Sequence, residues 1–275
     1  MKRPNTCTNL IRAIKAVAAD ADAVRLSRQL ANVIVGQMLP DGVIKGGSSL
    51  MFRYGSKFTR YTRDVDTARI MEHGEYIGRL QSALATGWNG FTADLVEIEP
   101  AKPKNVPGEY VMQPYDAKLK YLGRPWQTIR VEIGHNEIGD ADEYEEFLPE
   151  DIAEAFEKMQ FPRPQPLRVM KLSYQIAQKL HALSEEGSDR AHDLIDLQLI
   201  GKRSQLDFAD VKSKCIRLFD YRQKQSWPPE IEKGNGWETI YEAALGTISD
   251  KLYISRTVDE AIVWVNEFID KIIHG

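Results

Sequence analysis

The chain has 275 residues, 43% hydrophobic and 28% charged, with a formal net charge of −4. This is an ordinary globular composition, long enough for one large domain or two modest ones. No global basic field advertises a nucleic-acid partner, so any such contact rests on a local patch. Cys7 and Cys215 lie far apart at no metal-ligand spacing and read as free thiols of a reducing compartment. Lys2-Arg3-Pro4 is followed by polar residues rather than an apolar run, unlike a signal peptide. No stretch approaches the roughly 20 apolar residues of a membrane span. A cytoplasmic protein without a membrane partner is expected.

Taken in chain order, Thr8 to Met38 reads as helical through Val24, Leu30, Val33 and Ile34. A short strand, Gly42 to Lys45, runs into Gly46-Gly47-Ser48-Ser49 and then a helix opening at Leu50. Tyr61 to Ala68 forms a second strand, and Glu75 to Trp88 a helix through Ile77, Leu80 and Leu84. Strands are expected over Ala93 to Glu99, Glu109 to Gln113, Ala117 to Leu122 and Thr128 to Gly134. Pro149 suits the first turn of a helix reaching Met159. Pro162, Pro164 and Pro166 then break regular pairing, and a domain boundary is placed there. Helices follow over Ser173–Ser184, Arg190–Ile200, Phe208–Lys224, Gly236–Ile248 and Thr257–Ile273. The expectation is an α/β domain with N-terminal helices over 1–162 and a helical domain over 163–275.

Three features of the first domain belong together. Glycines at a strand-to-helix turn let backbone approach a phosphate, and the helix start supplies unpaired N–H groups. Asp64-Val65-Asp66 follows on a strand, where the two-residue period sends both carboxylates to one face. Glu132 is the single acid among apolar neighbours in Arg130-Val131-Glu132-Ile133. Three hard oxygen donors on adjacent strands suit Mg²⁺ together with substrate phosphates, and two such ions form a clamp for phosphoryl chemistry. Each feature also has a plain reading: a common turn, a solvated strand end, an edge-strand acid facing water. Their order along the chain favours the joint one.

Gly46-Gly47-Ser48-Ser49-Leu50 and Arg60-Tyr61-Thr62-Arg63-Asp64-Val65-Asp66 resemble the GG(S/T)xL … Rx(S/T)xDxD signature of the AbiEii nucleotidyltransferases, MenT-like toxins of the polymerase-β-like superfamily. Ala177-Gln178-Lys179-Leu180-His181-Ala182-Leu183 resembles that family's AEKLHAL helix. Arg190-Ala191-His192-Asp193-Leu194-Ile195-Asp196-Leu197 resembles its R-x-x-D-x-x-D-L helix. The resemblance covers roughly residues 40 to 245. Two departures stand out: a longer gap from Ser48 to Asp64, and His192 where a basic residue is common before the first helical aspartate.

The resemblance implies an α+β fold, a mixed-sheet nucleotidyltransferase domain followed by a helical domain. It implies nucleotide contacts at Gly47, Ser48, Arg60, Thr62 and Lys179, metal at Asp64, Asp66 and Glu132, and Asp193 completing the catalytic set. Two Mg²⁺ ions, a nucleoside triphosphate and a cognate antitoxin follow by the same analogy. Family members act in abortive infection and phage defence, and some add nucleotides to the acceptor end of transfer RNA. RNA is therefore the leading acceptor. The rival is a nucleotidyltransferase fold that has become a silent binding or regulatory module.

The residues of the helical half carry a reading of their own. Lys179 lies three residues after Ile176 and four before Leu183, on or beside an apolar stripe, so it needs an anionic partner or a route to water. Arg190, Asp193 and Asp196 share a helix face, as either a site or a surface ladder. Lys214, Arg217, Tyr221 and Lys224 fall on one stripe that suits a phosphate backbone, or is simply a solvated helix face.

Overall fold

The structure, a computed structural model, describes residues 2–18, 23–100, 111–251 and 254–275. By its contacts the chain divides into two compact units. One comprises residues 1–55, 62–136 and 141–169, the other residues 56–61, 137–140 and 170–275.

The first unit is built on a sheet. Helices α1 (Cys7–Ala18) and α2 (Ala23–Gly36) lead into β1 (Gly42–Lys45), α3 (Gly46–Tyr54), β2 (Val65–Arg69), α4 (His73–Thr86) and β3 (Phe91–Glu97). Strands β4 (Gln113–Tyr121), β5 (Arg124–Gly134) and β6 (Tyr144–Phe147), helix α5 (Glu150–Lys158) and β7 (Leu167–Met170) complete it. The strand order is β3-β4-β5-β2-β1-β7-β6. Strand β2 runs antiparallel to β1 and parallel to β5, so the sheet is mixed.

One face of this sheet is apolar. Ile44, Val65, Val131, Ile133, Tyr115 and Leu119 share a core with Ile14, Val33, Leu80 and Phe156 of the helices. The strand period sends their immediate neighbours the other way. The second face therefore carries Lys45, Asp66, Glu132, Arg130, Asp116, Lys118 and Asp94 in register. Such a polar face, in a protein with a sufficient core, is where chemistry can reside without costing packing.

The α+β architecture expected from the sequence is present, with local differences. Strand β2 begins at Val65 rather than Tyr61, because its ladder with β5 starts at the Val65–Val131 pair. The long N-terminal helix is two helices, and the strand expected from Glu109 begins outside the described residues, with Gln113 opening β4. The proline-rich segment is followed by one more strand, β7, where Val169 pairs with Ile44. That pairing is why the first unit extends to Val169 instead of ending at Pro162.

The second unit is helical: α6 (Leu172–Leu183), α7 (His192–Arg203), α8 (Phe208–Arg222), α9 (Trp237–Gly246) and α10 (Val258–His274). Helix α6 packs on α7 and α8, and α10 on α7, α8 and α9. Thr257 and Glu260 form a capping box that starts α10, satisfying two of its orphan donors. Cys7 and Cys215 are both free. Among the described residues no helix is long and apolar enough to cross a membrane.

Candidate active site

Asp66 sits at the centre of the polar sheet face. Its β5 partner is Glu132 and its β1 partner is Lys45. Asp64 lies two residues earlier, just before β2 begins, and its charge acts on Glu132. All three carboxylates are half-buried. Burial pushes the Glu132 carboxyl above the usual range, and the charges of Asp66 and Asp64 push it further, against Arg130 and Lys45. Burial likewise raises Asp64, which Arg130, Arg28 and Arg63 partly offset. Desolvation and like charge both disfavour ionisation here, and the nearby cations offset them only in part.

Helix α3 starts beside these acids. Gly46 has φ of +64°, and a Cβ added to it would stand 2.2 Å from Asp66 Oδ2. Glycine is required there twice, by the left-handed backbone and by the approach of the carboxylate. Lys45 at the N-cap gives no side-chain cap, which leaves the first-turn N–H groups of α3 without that partner. Gly47 lies buried in this first turn. Ser48 is fully buried and its hydroxyl donates to the carbonyl oxygen of Asp64. This hydrogen bond ties the start of α3 to the chain entering β2. Thr62 is half-buried in the extended segment just before Asp64.

Among the described residues, no three His, Cys, Asp or Glu side chains are drawn together closely enough to hold an ion as placed. Like charges on adjacent strands repel, so the backbone sets the register while the side chains stay apart. The donor chemistry still fits a hard divalent cation. Asp66 and Glu132 are paired on one face, and Asp64 is near enough for its charge to act on Glu132, so hard oxygen donors are gathered there.

In the helical unit the other expected residues form a separate, buried network. Lys179 Nζ donates to Asp193 Oδ1 at 2.6 Å and to Asp196 Oδ2 at 2.7 Å. Arg60 straddles Asp196, with Nε and Nη2 at 3.1 to 3.2 Å. Arg190 Nε takes Asp193 Oδ2 at 2.8 Å. Lys179 is 4% exposed, Asp193 0% and Asp196 1%. Burial would raise the Asp193 carboxyl, but Lys179 and Arg190 outweigh it and hold it well below the carboxylate range. Asp196 is lowered in the same way, by Arg60 and Lys179 against burial. Burial drives the neighbouring His192 down to about 4, so it is neutral.

Two sequence expectations change on this geometry. Lys179 is not an unpartnered cation awaiting a nucleotide, because both aspartates already hold it. Asp193 is not an open carboxylate beside Asp64 and Asp66 in character, because both its oxygens are bonded and it is fully enclosed. Helix periodicity put Lys179 near an apolar stripe and the aspartates on one face, but the meeting of α6 with α7 was not in either pattern.

The basic stripe on α8 is also corrected. Lys214 is 9% exposed, beside Asp210 and over the Tyr174 ring at 4.6 Å. Arg217 donates to the carbonyl of Ile138, and Lys224 pairs with Glu185. Tyr221 is exposed, at 43%. Of the stripe, Lys214 is buried beside Val211, Cys215 and Leu218, while Arg217, Tyr221 and Lys224 are exposed.

Sequence comparison decides the family. The model of the nucleotidyl transferase AbiEii toxins of type IV toxin–antitoxin systems matches residues 26–259. The chain belongs to this family. A search of curated proteins finds no match. Among solved structures it is similar to MenT4, a nucleotidyltransferase toxin from Mycobacterium tuberculosis, at 15% identity and a TM-score of 0.52. That match covers 98% of this chain and 99% of the other. JHP933 from Helicobacter pylori aligns at 17% identity, over 92% of this chain and 96% of its own, with a TM-score of 0.45. At such identity the MenT4 likeness speaks for a shared fold.

Lys45 and Gly134 are the site residues that sequence reasoning passed over. Their only signal was position: Lys45 directly precedes the Gly-Gly-Ser turn, and Gly134 lies two residues past Glu132.

Proposed function

We propose that this AbiEii-family protein transfers a nucleoside monophosphate from a nucleoside triphosphate to an acceptor hydroxyl on the polar face of its sheet. The observation that carries this reading is the in-register pair Asp66–Glu132, with Asp64 just before β2 and the uncapped start of α3 beside it. Asp64, Asp66 and Glu132 would hold Mg²⁺, two ions by family analogy. Bound there, Mg²⁺ would supply Lewis-acid stabilisation of the charge that develops on the phosphoryl oxygens.

The chain's own groups do the rest. The α3 N-terminus offers backbone N–H groups and positive dipole to phosphate oxygens. As the alternative to holding metal, Glu132 is the group that accepts the proton of the attacking hydroxyl as the new P–O bond forms at the α-phosphate. The α–β phosphoanhydride bond breaks and pyrophosphate leaves with the electron pair. Lys179 and Arg60 belong to this reading as nucleotide-side cations. The family resemblance alone gives them that role, since Asp193 and Asp196 hold the Lys179 ammonium and Asp196 holds the Arg60 guanidinium. Asp193 then acts as a positioning residue that fixes this ammonium.

The acceptor proposed is the 3′ end of RNA, transfer RNA included, and the biological role that of a toxin restrained by an antitoxin. Both rest on the family. Incubation with each α-labelled triphosphate, Mg²⁺ and total RNA should place label in RNA and release pyrophosphate. A silent binding module would bind triphosphate and release none. Wild-type protein that labels no RNA with any of the four triphosphates would sink the RNA reading.

A further inference from the structure

Lys45 caps α3 without bonding to it, and its side chain goes elsewhere. Its cross-strand partner is Asp66, whose other neighbour is Glu132. The ammonium passes over β2 toward β5. A Cβ on Gly134 would lie 3.1 Å from Lys45 Nζ and 3.7 Å from its Cε. Gly134 follows Glu132 by two residues, so its missing side chain leaves a hollow on the carboxylate face itself. The ammonium occupies that hollow. Its charge opposes those of Asp66 and Asp64 at Glu132.

We propose that Lys45 is a positioning residue, an internal counter-cation that makes divalent-metal binding at Asp64, Asp66 and Glu132 depend on the triphosphate. This rests on the proposed function. Without ligand, the Lys45 ammonium stands in the Gly134 hollow and acts with Arg130 on Glu132. A divalent cation arriving alone meets that charge and binds weakly. A triphosphate brings negative charge that takes up the ammonium, and the metal then enters a site relieved of its competitor.

The test is titration with Mn²⁺, followed by electron paramagnetic resonance of the free ion, with and without a non-hydrolysable nucleoside triphosphate analogue. Neutralising a unit charge within the site should tighten Mn²⁺ binding by Lys45→Met on the order of tenfold in the absence of analogue. The enhancement that the analogue gives the wild type should shrink by a similar factor. Lys45→Arg, which keeps the charge, should retain both wild-type values. Gly134→Ala crowds the ammonium without removing it and should fall between wild type and Lys45→Met, which serves if the latter does not fold. Mn²⁺ binding lost in Asp66→Asn but unmoved in Lys45→Met overturns the role of Lys45 alone. Equal shifts in Lys45→Met and Lys45→Arg mark a packing role and overturn it too. Wild-type protein that binds no Mn²⁺ under either condition overturns the carboxylate site and the role of Lys45 together.

Discussion

Asp64, Asp66 and Glu132 on the sheet are half-buried, while Asp193 and Asp196 in the helical unit are fully enclosed. Burial alone would make the second group the harder to ionise. The opposite holds, since burial and like charge raise Glu132, whereas Lys179, Arg60 and Arg190 outweigh burial and lower both helical aspartates. What separates the two groups is how the cations meet them. Three cations meet two carboxylates in the helical network, so that group is complete. Around the sheet group Arg130, Arg28, Arg63 and Lys45 act without close pairing and leave burial the stronger influence, which a bound metal ion would reverse. One acid cluster is a structural fastening, the other a candidate metal site.

Substitutions can break this contrast at either end. Asp66→Asn keeps size and much of the hydrogen bonding but removes a metal-binding charge. Transfer should fall by roughly 1,000-fold or more, the several kcal/mol expected of lost metal stabilisation. Circular dichroism and the melting temperature should stay at wild-type values, and label transfer at the wild-type rate would refute the site.

On the helical side the same chemistry should act on stability. Asp193→Asn or Lys179→Ala leaves buried charges short of a partner and should cost about 3–5 kcal/mol in urea unfolding. A change under 0.5 kcal/mol in both would mean that the network is not a fastening. Loss of activity in Lys179→Ala is therefore no proof of a triphosphate contact. Lys179→Arg, assayed for KM and kcat separately, is the sharper probe.

Stability against pH sharpens the contrast further. A carboxyl raised on folding stabilises fully below its unfolded value, and that contribution is lost as pH rises through the folded value. Wild type thus gains from Glu132 on acidification, and Glu132→Gln does not. The variant should be more stable at neutral pH by about 0.5 kcal/mol after solvent screening, with the advantage shrinking toward pH 5. Asp193 and Asp196 are lowered, so their contribution is present above the unfolded value and fades only as pH falls through the lower folded values. An Asp193→Asn penalty that already vanished at pH 5 would contradict the pairing.

The smallest effects belong to α8. Lys224→Glu should alter stability by no more than about 0.5 kcal/mol and leave the salt slope of RNA binding unchanged. Lys214→Ala should cost about 1 kcal/mol through its lost ring contact. A flattened salt slope in Lys224→Glu would restore the phosphate-tracking role that the burial of Lys214 speaks against.

Much of the site was legible before the fold was known, and for local reasons. A strand alternates its side chains, so Asp64-Val65-Asp66 reads as two carboxylates on one face. A strand leading into Gly46-Gly47 had to turn into a helix with free N–H groups, and the motif order named the family. Periodicity also located nearly every helix of the second unit, from Leu172 to His274. Other features depend on which elements become neighbours. The parallel pairing of β2 with β5 sets Glu132 against Asp66, the β1–β2 ladder brings in Lys45, and Gly134 makes room for its ammonium. The packing of α6 on α7 closes Lys179 on its two aspartates, and the fold buries Lys214 while leaving Arg217 and Lys224 of the same stripe exposed. Sequence periods fix the face on which a charge lies. Whether that charge is matched is decided by residues distant in the chain, and only tertiary structure brings those together.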